Sequence, residues 1–329
     1  MGLSLTRRVF LGGTACAAVV TTSHAQTAGW PERTIQLTHG FGVGGNADVI
    51  SRIASEQLAQ RLGQAVVVEA RPGAGGRIAA AYAAKASPDG HTLVVLPGGH
   101  AIAPAMFDGL PYDTANDFTY VSMLTEFPFI LVTYPEHPVT NIAELIAAAK
   151  AAPEPIIYGS AGNGTGQHLS GALFAQMAGV RMQHLPFRGG AVGSTELLGK
   201  HIHFLYETPT LLLELIRSGA LRAIAVTGSQ RFFALPNVPT IGETVRGYET
   251  SSWLGLAGPP NLPQPIVARL NKEVHGFLAD PAIVERLRTL GNVPTPTSPA
   301  AFKERVAADV AKWTRVGADV GLARTKLAQ

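Results

Sequence analysis

The chain has 329 residues, 46% of them apolar, with 26 basic against 23 acidic side chains and a formal charge of +3. Apart from the adjacent Arg7 and Arg8, lysines and arginines are scattered singly, which excludes the basic stripe that nucleic-acid binding requires. The single cysteine, Cys16, excludes a disulfide framework and a cysteine-built metal site.

The N-terminus carries an export signal. Thr6-Arg7-Arg8-Val9-Phe10-Leu11 sets two arginines before an apolar stretch reaching Val20, and Ser23-His24-Ala25 offers small residues where a signal peptidase cuts. Residues 1–25 are therefore expected to be a signal peptide, cleaved near Ala25, that delivers the protein to the periplasm. Paired arginines followed by Val-Phe-Leu fit the twin-arginine type, while a general secretory signal needs only the positive charge. An apolar run of about 12 residues is too short for the roughly 20 of a membrane-spanning helix. Without Arg7 and Arg8 the balance is 24 basic to 23 acidic, so the exported surface is almost neutral. Roughly 300 residues then remain, more than one hydrophobic core usually serves, and two domains are expected.

Thr34–Thr38 is predicted as a strand, residues 39–45 as a glycine-rich loop, and the residues up to Gly63 as a helix on the spacing of Ile50, Ile53, Leu58 and Leu62. Ala65–Glu69 and Thr92–Leu96 read as strands flanking a small-residue helix, Ile78–Ala86. Nearly continuous apolar strands alternating with helices predict parallel sheets covered on both faces. Phe129–Thr133 is a further strand and Ile142–Ala152 a helix. Pro155–Tyr158 is a strand running into Gly159-Ser160-Ala161-Gly162-Asn163-Gly164-Thr165-Gly166 and another helix, so the strand, glycine loop and helix plan recurs about 120 residues on. Strands are expected at Met182–Leu185, His201–Tyr206 and Ala220–Val226. Helices at Pro265–Leu278, from Asp280-Pro281 to Leu290, and from Ser298-Pro299 to Val316 would pack back on the first domain; in the last two, a capping residue precedes proline.

Ligands of open α/β sheets bind beyond the carboxyl ends of the strands. Loops 40–48 and 159–168 lie there, each before a helix N-terminus carrying about half a positive charge, so together they suit a carboxylate. The first also matches G-x-G-x-x-G after a strand, with Glu69 ending the next, which is the fingerprint of a dinucleotide site and of a periplasmic NAD(P)-dependent oxidoreductase. Ser160 lacks the first glycine of a G-x-S-x-G elbow and has no ordered acid and histidine partners. His201 and His203 have no third ligand to make a metal site. His168 is either a capping contact or a cleft-lining donor, and Arg188 either a carboxylate clamp or a surface ion pair.

Eight segments in order resemble the Bug family, the substrate-binding proteins of tripartite tricarboxylate transporters. They are Phe41 with Gly44-Gly45-Asn46-Ala47-Asp48-Val49; Val68-Glu69-Ala70-Arg71-Pro72-Gly73-Ala74-Gly75-Gly76; Ser87-Pro88-Asp89-Gly90-His91-Thr92-Leu93; Leu110-Pro111-Tyr112-Asp113 with Asp117-Phe118; Gly164-Thr165 with His168-Leu169; Pro186-Phe187-Arg188-Gly189-Gly190; Arg231 with Leu235-Pro236-Asn237-Val238-Pro239-Thr240; and Trp253-Leu254-Gly255-Leu256. The resemblance implies a two-lobed α/β fold of the periplasmic-binding-protein type, with residues 26–127 and 249–329 in one lobe, 128–248 in the other, and crossovers near Glu126 and Tyr248. It implies a monomeric receptor without catalytic residues, metal or cofactor, which passes a small carboxylate to a membrane permease. A sensory receptor of the same fold would share these residues. The expected ligand contacts are Phe41, Val43, Gly44, Gly45, Asp48, Ser160, Gly164, Thr165, His168, Arg188 and Glu207. The chain departs from the family at Gly40, Gly42 and Val43, which replace two prolines and a small residue of the first loop. It departs again at Glu207, where aspartate is common and whose longer side chain favours a ligand with an amine or hydroxyl.

Overall fold

The computed structural model describes residues 29–319 and 324–327. The expected signal peptide, with Cys16, lies outside the described residues.

The chain enters through β1 (Ile35–His39), α1 (Asn46–Leu62), β2 (Val66–Ala70), α2 (Arg77–Ala84) and β3 (Thr92–Pro97). Alternate residues Ile35 and Leu37 of β1, with Leu93 and Val95 of β3, share one buried cluster with Ile50, Ile53 and Leu58 of α1. A strand period of two thus meets one stripe of a 3.6-residue helix. α3 (Gly99–Met106), the two-residue β4 (Phe107–Asp108) and β5 (Thr119–Phe127) follow.

A second unit then runs through β6 (Ile130–Thr133), α4 (Ile142–Ala151), β7 (Ile156–Ser160), α5 (Gly166–Met177), β8 (Met182–Pro186), α6 (Gly190–Leu198), β9 (Phe204–Glu207), α7 (Pro209–Arg217) and β10 (Arg222–Val226). The chain returns through β11 (Ser252–Gly258), α8 (Gln264–Leu278), α9 (Pro281–Thr289), β12 (Val293–Pro294), α10 (Pro299–Asp319) and β13 (Thr325–Lys326). α8 packs on β5 and α1, and α10 crosses α3 and β5, so the C-terminal helices cover the first sheet. Asp280 caps α9 by accepting the Ala282 N–H at 2.9 Å, with Pro281 at the first helical position.

The strand orders are β12-β5-β11-β3-β1-β2 and β10-β6-β9-β7-β8, with a short β13-β4 pair apart from both. Wholly parallel sheets were expected, and both are mixed. β1 is parallel to β2 and β3, and β7 to β8 and β9, each joined through helices. β11 is antiparallel to β3 and β5, and β6 to β9 and β10. Each of these two strands enters its sheet from the other unit, without the helical crossover that parallel pairing needs.

Two connections therefore join the units, Pro128-Phe129 and the segment from Thr227 to Ser251. Thr227 holds them together. Its hydroxyl accepts the Phe129 N–H at 2.9 Å, its N–H donates to the Phe129 carbonyl at 3.0 Å, and its carbonyl accepts the Thr250 N–H at 2.8 Å.

In the second unit β9 alternates cleanly. Phe204 and Tyr206 join Tyr158 and Phe174 on one face, while Leu205 joins Leu197 and Leu212 on the other. The same alternation sends Glu207 to the Leu205 side, under the first residue of α6.

Candidate ligand-binding cleft

Between the two units lies a cavity of about 210 Å³. That is below the roughly 300–1,000 Å³ of sites for drug-sized molecules, so it suits a small ligand. Its walls are the loops that follow β1, β7, β8 and β9, closed from the first unit by Pro97, Gly99, Phe127, Ser252 and Leu254 and from the connection by Phe129.

Phe41, Gly42 and Val43 of the first loop face the cavity, followed by Gly45, Asn46 and Ala47 at the start of α1. Gly45 occupies the N-cap and brings no side chain to cap the helix, so the first-turn N–H groups are left for the cleft. The loop is pinned from behind. Asp48 accepts the Gly44 N–H at 2.9 Å and Arg52 Nε at 3.0 Å, and its other oxygen meets Nε2 of buried His39 at 3.1 Å. Burial alone would raise the Asp48 carboxyl, but Arg52 and the Gly44 N–H hold it below the usual carboxylate range. The sharp turn requires φ of +82° at Gly44.

The second loop offers Ala161 and Thr165, then Gly166 and Gln167 of the first turn of α5. Thr165 caps α5 by accepting the His168 N–H at 3.4 Å and donates its own proton to the Gly162 carbonyl at 2.8 Å. His168 Nδ1 accepts the Gly164 N–H at 3.3 Å, which fixes its proton on Nε2. Its ring stacks on His184 with centroids 3.8 Å apart, and His184 Nε2 lies 2.6 Å from Ser160 Oγ. Burial lowers His168 to about 4; burial and the neighbouring His168 lower His184 to about 3, so both are neutral at neutral pH.

From the third loop Arg188, Gly189, Gly190, Ala191 and Val192 reach the wall, and from the fourth Glu207, Thr208 and Leu211. Arg188 is exposed and makes no hydrogen bond or ion pair with the described residues. Glu207 is only 2% exposed. Its Oε1 accepts the Thr208 N–H at 2.7 Å and Gln167 Nε2 at 3.1 Å, while Oε2 has no partner. Burial raises the Glu207 carboxyl against the opposing pull of these donors and of the nearby Thr208 side chain.

Of the residues singled out from the sequence, Phe41, Val43, Gly45, Thr165, Arg188 and Glu207 line the cavity. Gly44, Asp48, Ser160, Gly164 and His168 do not; their polar groups are engaged in holding the two loops in shape. Asn46, Gln167, Thr208, Phe127 and Phe129 are on the wall and were not singled out. Asn46 and Gln167 follow directly on the named glycine loops, and first-turn residues of helices pointed at a ligand were the available signal. Glu69, which a dinucleotide site would aim at a ribose, is ion-paired with Arg71 at 2.7 Å away from the cavity wall.

The units also touch across the cleft. Asn46 Oδ1 accepts the Thr210 hydroxyl of α7 at 2.6 Å, and Asn292 Nδ2 donates to Thr210 Oγ1 at 3.0 Å and to Asn46 Oδ1 at 3.1 Å. On the other flank, Gly164 packs against the Phe107 ring and beside Arg77.

Residues 50–322 match the model of the tripartite tricarboxylate transporter family receptor, TctC. The chain belongs to that family. The chain is 32% identical to Protein BugT of Bordetella pertussis over 297 residues, 89% of this chain and 90% of that protein. The structure described as Rhodopseudomonas palustris Rpa4515 with adipate is 34% identical with a TM-score of 0.87, covering 90% of this chain and 100% of that one. MatC from Rhodopseudomonas palustris with bound malate is 30% identical with a TM-score of 0.83, over 88% of this chain and 100% of that one. The periplasmic binding protein BugD is 30% identical with a TM-score of 0.85, over 90% and 100%. The receptor accordingly has the two-lobed periplasmic-binding-protein fold with two mixed sheets, and is a solute-binding protein rather than an enzyme. Membership of this family removes the oxidoreductase reading of the first glycine loop.

Proposed function

We propose that the receptor is exported to the periplasm, captures a small carboxylate in the interlobe cleft, and passes it to a membrane permease of the tripartite tricarboxylate type. The observation that carries this reading is the convergence of the first turns of α1, α5 and α6 on one small cavity, with unpaired Arg188 on its wall. Each helix N-terminus presents about half a positive charge and unpaired N–H groups, which suit a carboxylate. The adipate and malate held by the two Rhodopseudomonas palustris relatives are of that class.

In this mechanism residues 26–127 with 249–329 form one lobe and 128–248 the other, turning about the paired connections at Phe129, Thr227 and Thr250. Phe41, Val43, Gly45, Thr165, Arg188 and Glu207 face the ligand, while Gly44, Asp48, Ser160, Gly164 and His168 hold the loops. The ligand binds the first lobe, the second lobe closes over it, and greater affinity for the closed form drives the motion.

A thermal-shift panel of di- and tricarboxylates, keto acids, aromatic acids and amino acids tests the class. A ligand at about 100 times its Kd adds roughly 2.7 kcal/mol of stability. A panel with no response from any carboxylate refutes the reading. Small-angle scattering without compaction on adding a confirmed ligand refutes the hinge. Replacing Arg7 and Arg8 by lysine should trap the precursor in the cytoplasm, and unaffected export would exclude the twin-arginine route.

A further inference from the structure

The wall of the cleft carries one acidic and one unpaired basic side chain, and the acid uses only one of its two oxygens within the protein. Glu207 sits at the end of β9 with Oε1 fully engaged by the Thr208 N–H and Gln167 Nε2. Its Oε2 is buried without a partner and lies against Gly190, the first residue of α6, so closely that a Cβ there would fall 2.1 Å from it. The adjacent Thr208 hydroxyl is also buried; it lies near the Glu207 carboxyl but makes no well-formed hydrogen bond. Thr208 occupies the N-cap of α7, where a threonine oxygen ordinarily accepts a first-turn N–H, yet it makes no such bond. Two neighbouring residues on one patch of cavity wall thus each present an unsatisfied oxygen. Buried polar groups left unpaired are expensive and are ordinarily completed by a partner.

Much of the remaining wall is apolar, built from Phe41, Phe127, Phe129, Leu211 and Leu254. An ammonium supplies several donors at once, enough for Glu207 Oε2 and Thr208 Oγ1 together, and its charge matches the carboxylate of Glu207. A second ligand carboxylate at the same place would face Glu207 as a like charge or force it to stay protonated. An apolar carbon chain with no polar end would leave both oxygens unsatisfied.

We infer that the ligand of this receptor is an amino acid with an apolar body, its carboxylate held at the helix N-termini near Arg188 and its ammonium held by Glu207 and Thr208. The inference rests on the carboxylate-receptor reading and narrows it. Glu207 is then the residue that selects amino acids over dicarboxylates.

Two sets of matched ligands test it on the intact mature protein by isothermal titration calorimetry. In one set 6-aminohexanoate, hexanoate and adipate share a six-carbon chain and differ only at one end; in the other, leucine is compared with 4-methylpentanoate, which lacks the amine. The expected result is that the amino member of at least one set binds tenfold or more tightly than its partners. Glu207→Gln, which keeps a carbonyl for the Thr208 and Gln167 donors, should remove that preference. Tighter binding of adipate or of the amine-free acids than of the amino acids overturns the inference and leaves the carboxylate reading standing. Unchanged amino-acid binding by a folded Glu207→Gln overturns it as well. No binding by any member, together with a silent carboxylate panel, refutes the underlying function instead. Because the wild-type comparison decides the ligand class by itself, an unfolded variant would not protect the inference.

Discussion

Thr210→Val is the sharpest probe of closure, because it removes a hydroxyl from the contact between the lobes and almost nothing else. In the structure that hydroxyl donates to Asn46 Oδ1 at 2.6 Å, with the Leu290 carbonyl at 3.0 Å as an alternative acceptor, and accepts from Asn292 Nδ2 at 3.0 Å. Valine keeps the shape and the β-branching, so the helical preference of α7 changes little. Asn46 Oδ1 and Asn292 Nδ2 still have each other at 3.1 Å, so neither is orphaned. Two neutral hydrogen bonds at about 0.5–1.5 kcal/mol each set the loss at about 1–3 kcal/mol. At about 1.4 kcal/mol per factor of ten, ligand Kd should rise about 5- to 140-fold. If the empty protein rests open, its melting temperature should barely move, since the contact is already broken there. Calorimetry of ligand binding and a melt of the empty protein measure the two quantities separately. A Kd within twofold of wild type together with a lowered melting temperature would mean that the lobes are locked in the empty protein, and the hinge mechanism would fail.

Gly164→Ala should weaken binding more than tenfold and leave the scattering curve extended at saturating ligand. The position needs φ of +77°, about 1–2 kcal/mol unfavourable for alanine, and its Cβ would lie 2.5 Å from the Phe107 ring of the opposite lobe. Asp48→Ala removes the anchor of the first loop and should lower stability by about 1–3 kcal/mol in urea denaturation while also loosening ligand binding; a change in neither would show that the Gly44 turn holds itself. Burial lowers His100 to about 3, so the folded protein keeps it neutral in a range where the unfolded chain binds a proton. Stability should therefore fall as pH drops from about 6.5 toward 3, and His100→Phe should flatten the slope by about 1.4 kcal/mol per pH unit in that window. A pH profile of denaturation free energy identical to wild type would show that the ring titrates normally.

The fold was legible where a local pattern determined it. Ile50, Ile53 and Leu58 mark α1 without reference to anything distant, and Asp280-Pro281 marks the start of α9. β11 carries no such mark. Trp253-Leu254-Gly255-Leu256 is fully buried on both faces between β3 and β5, so the alternation that announces a strand is absent, and its antiparallel direction depends on a crossover from the other lobe. α3 was not predicted; Gly99 and Pro104 are poor helix formers, and the helix is held by burial of Ile102 and Met106 in a cluster with Leu169 and Trp313.

The cleft divides along the same line. Glycine loops repeated after two strands point to the backbone part of the site, because a helix N-terminus after a strand is a local feature with a fixed polarity. What those loops do not disclose is which side chains remain available once the loops are folded. Asp48, Ser160 and His168 look as suitable for a ligand as Glu207 in the sequence, but each finds partners within a few residues or on an adjoining strand. Glu207 has partners for only one oxygen, since the residue above the other is Gly190 and not a donor side chain. The ligand preference of such a cleft is then set by the polar atoms its own fold leaves unsatisfied, and a glycine next to an acid reveals more about that than the acid alone.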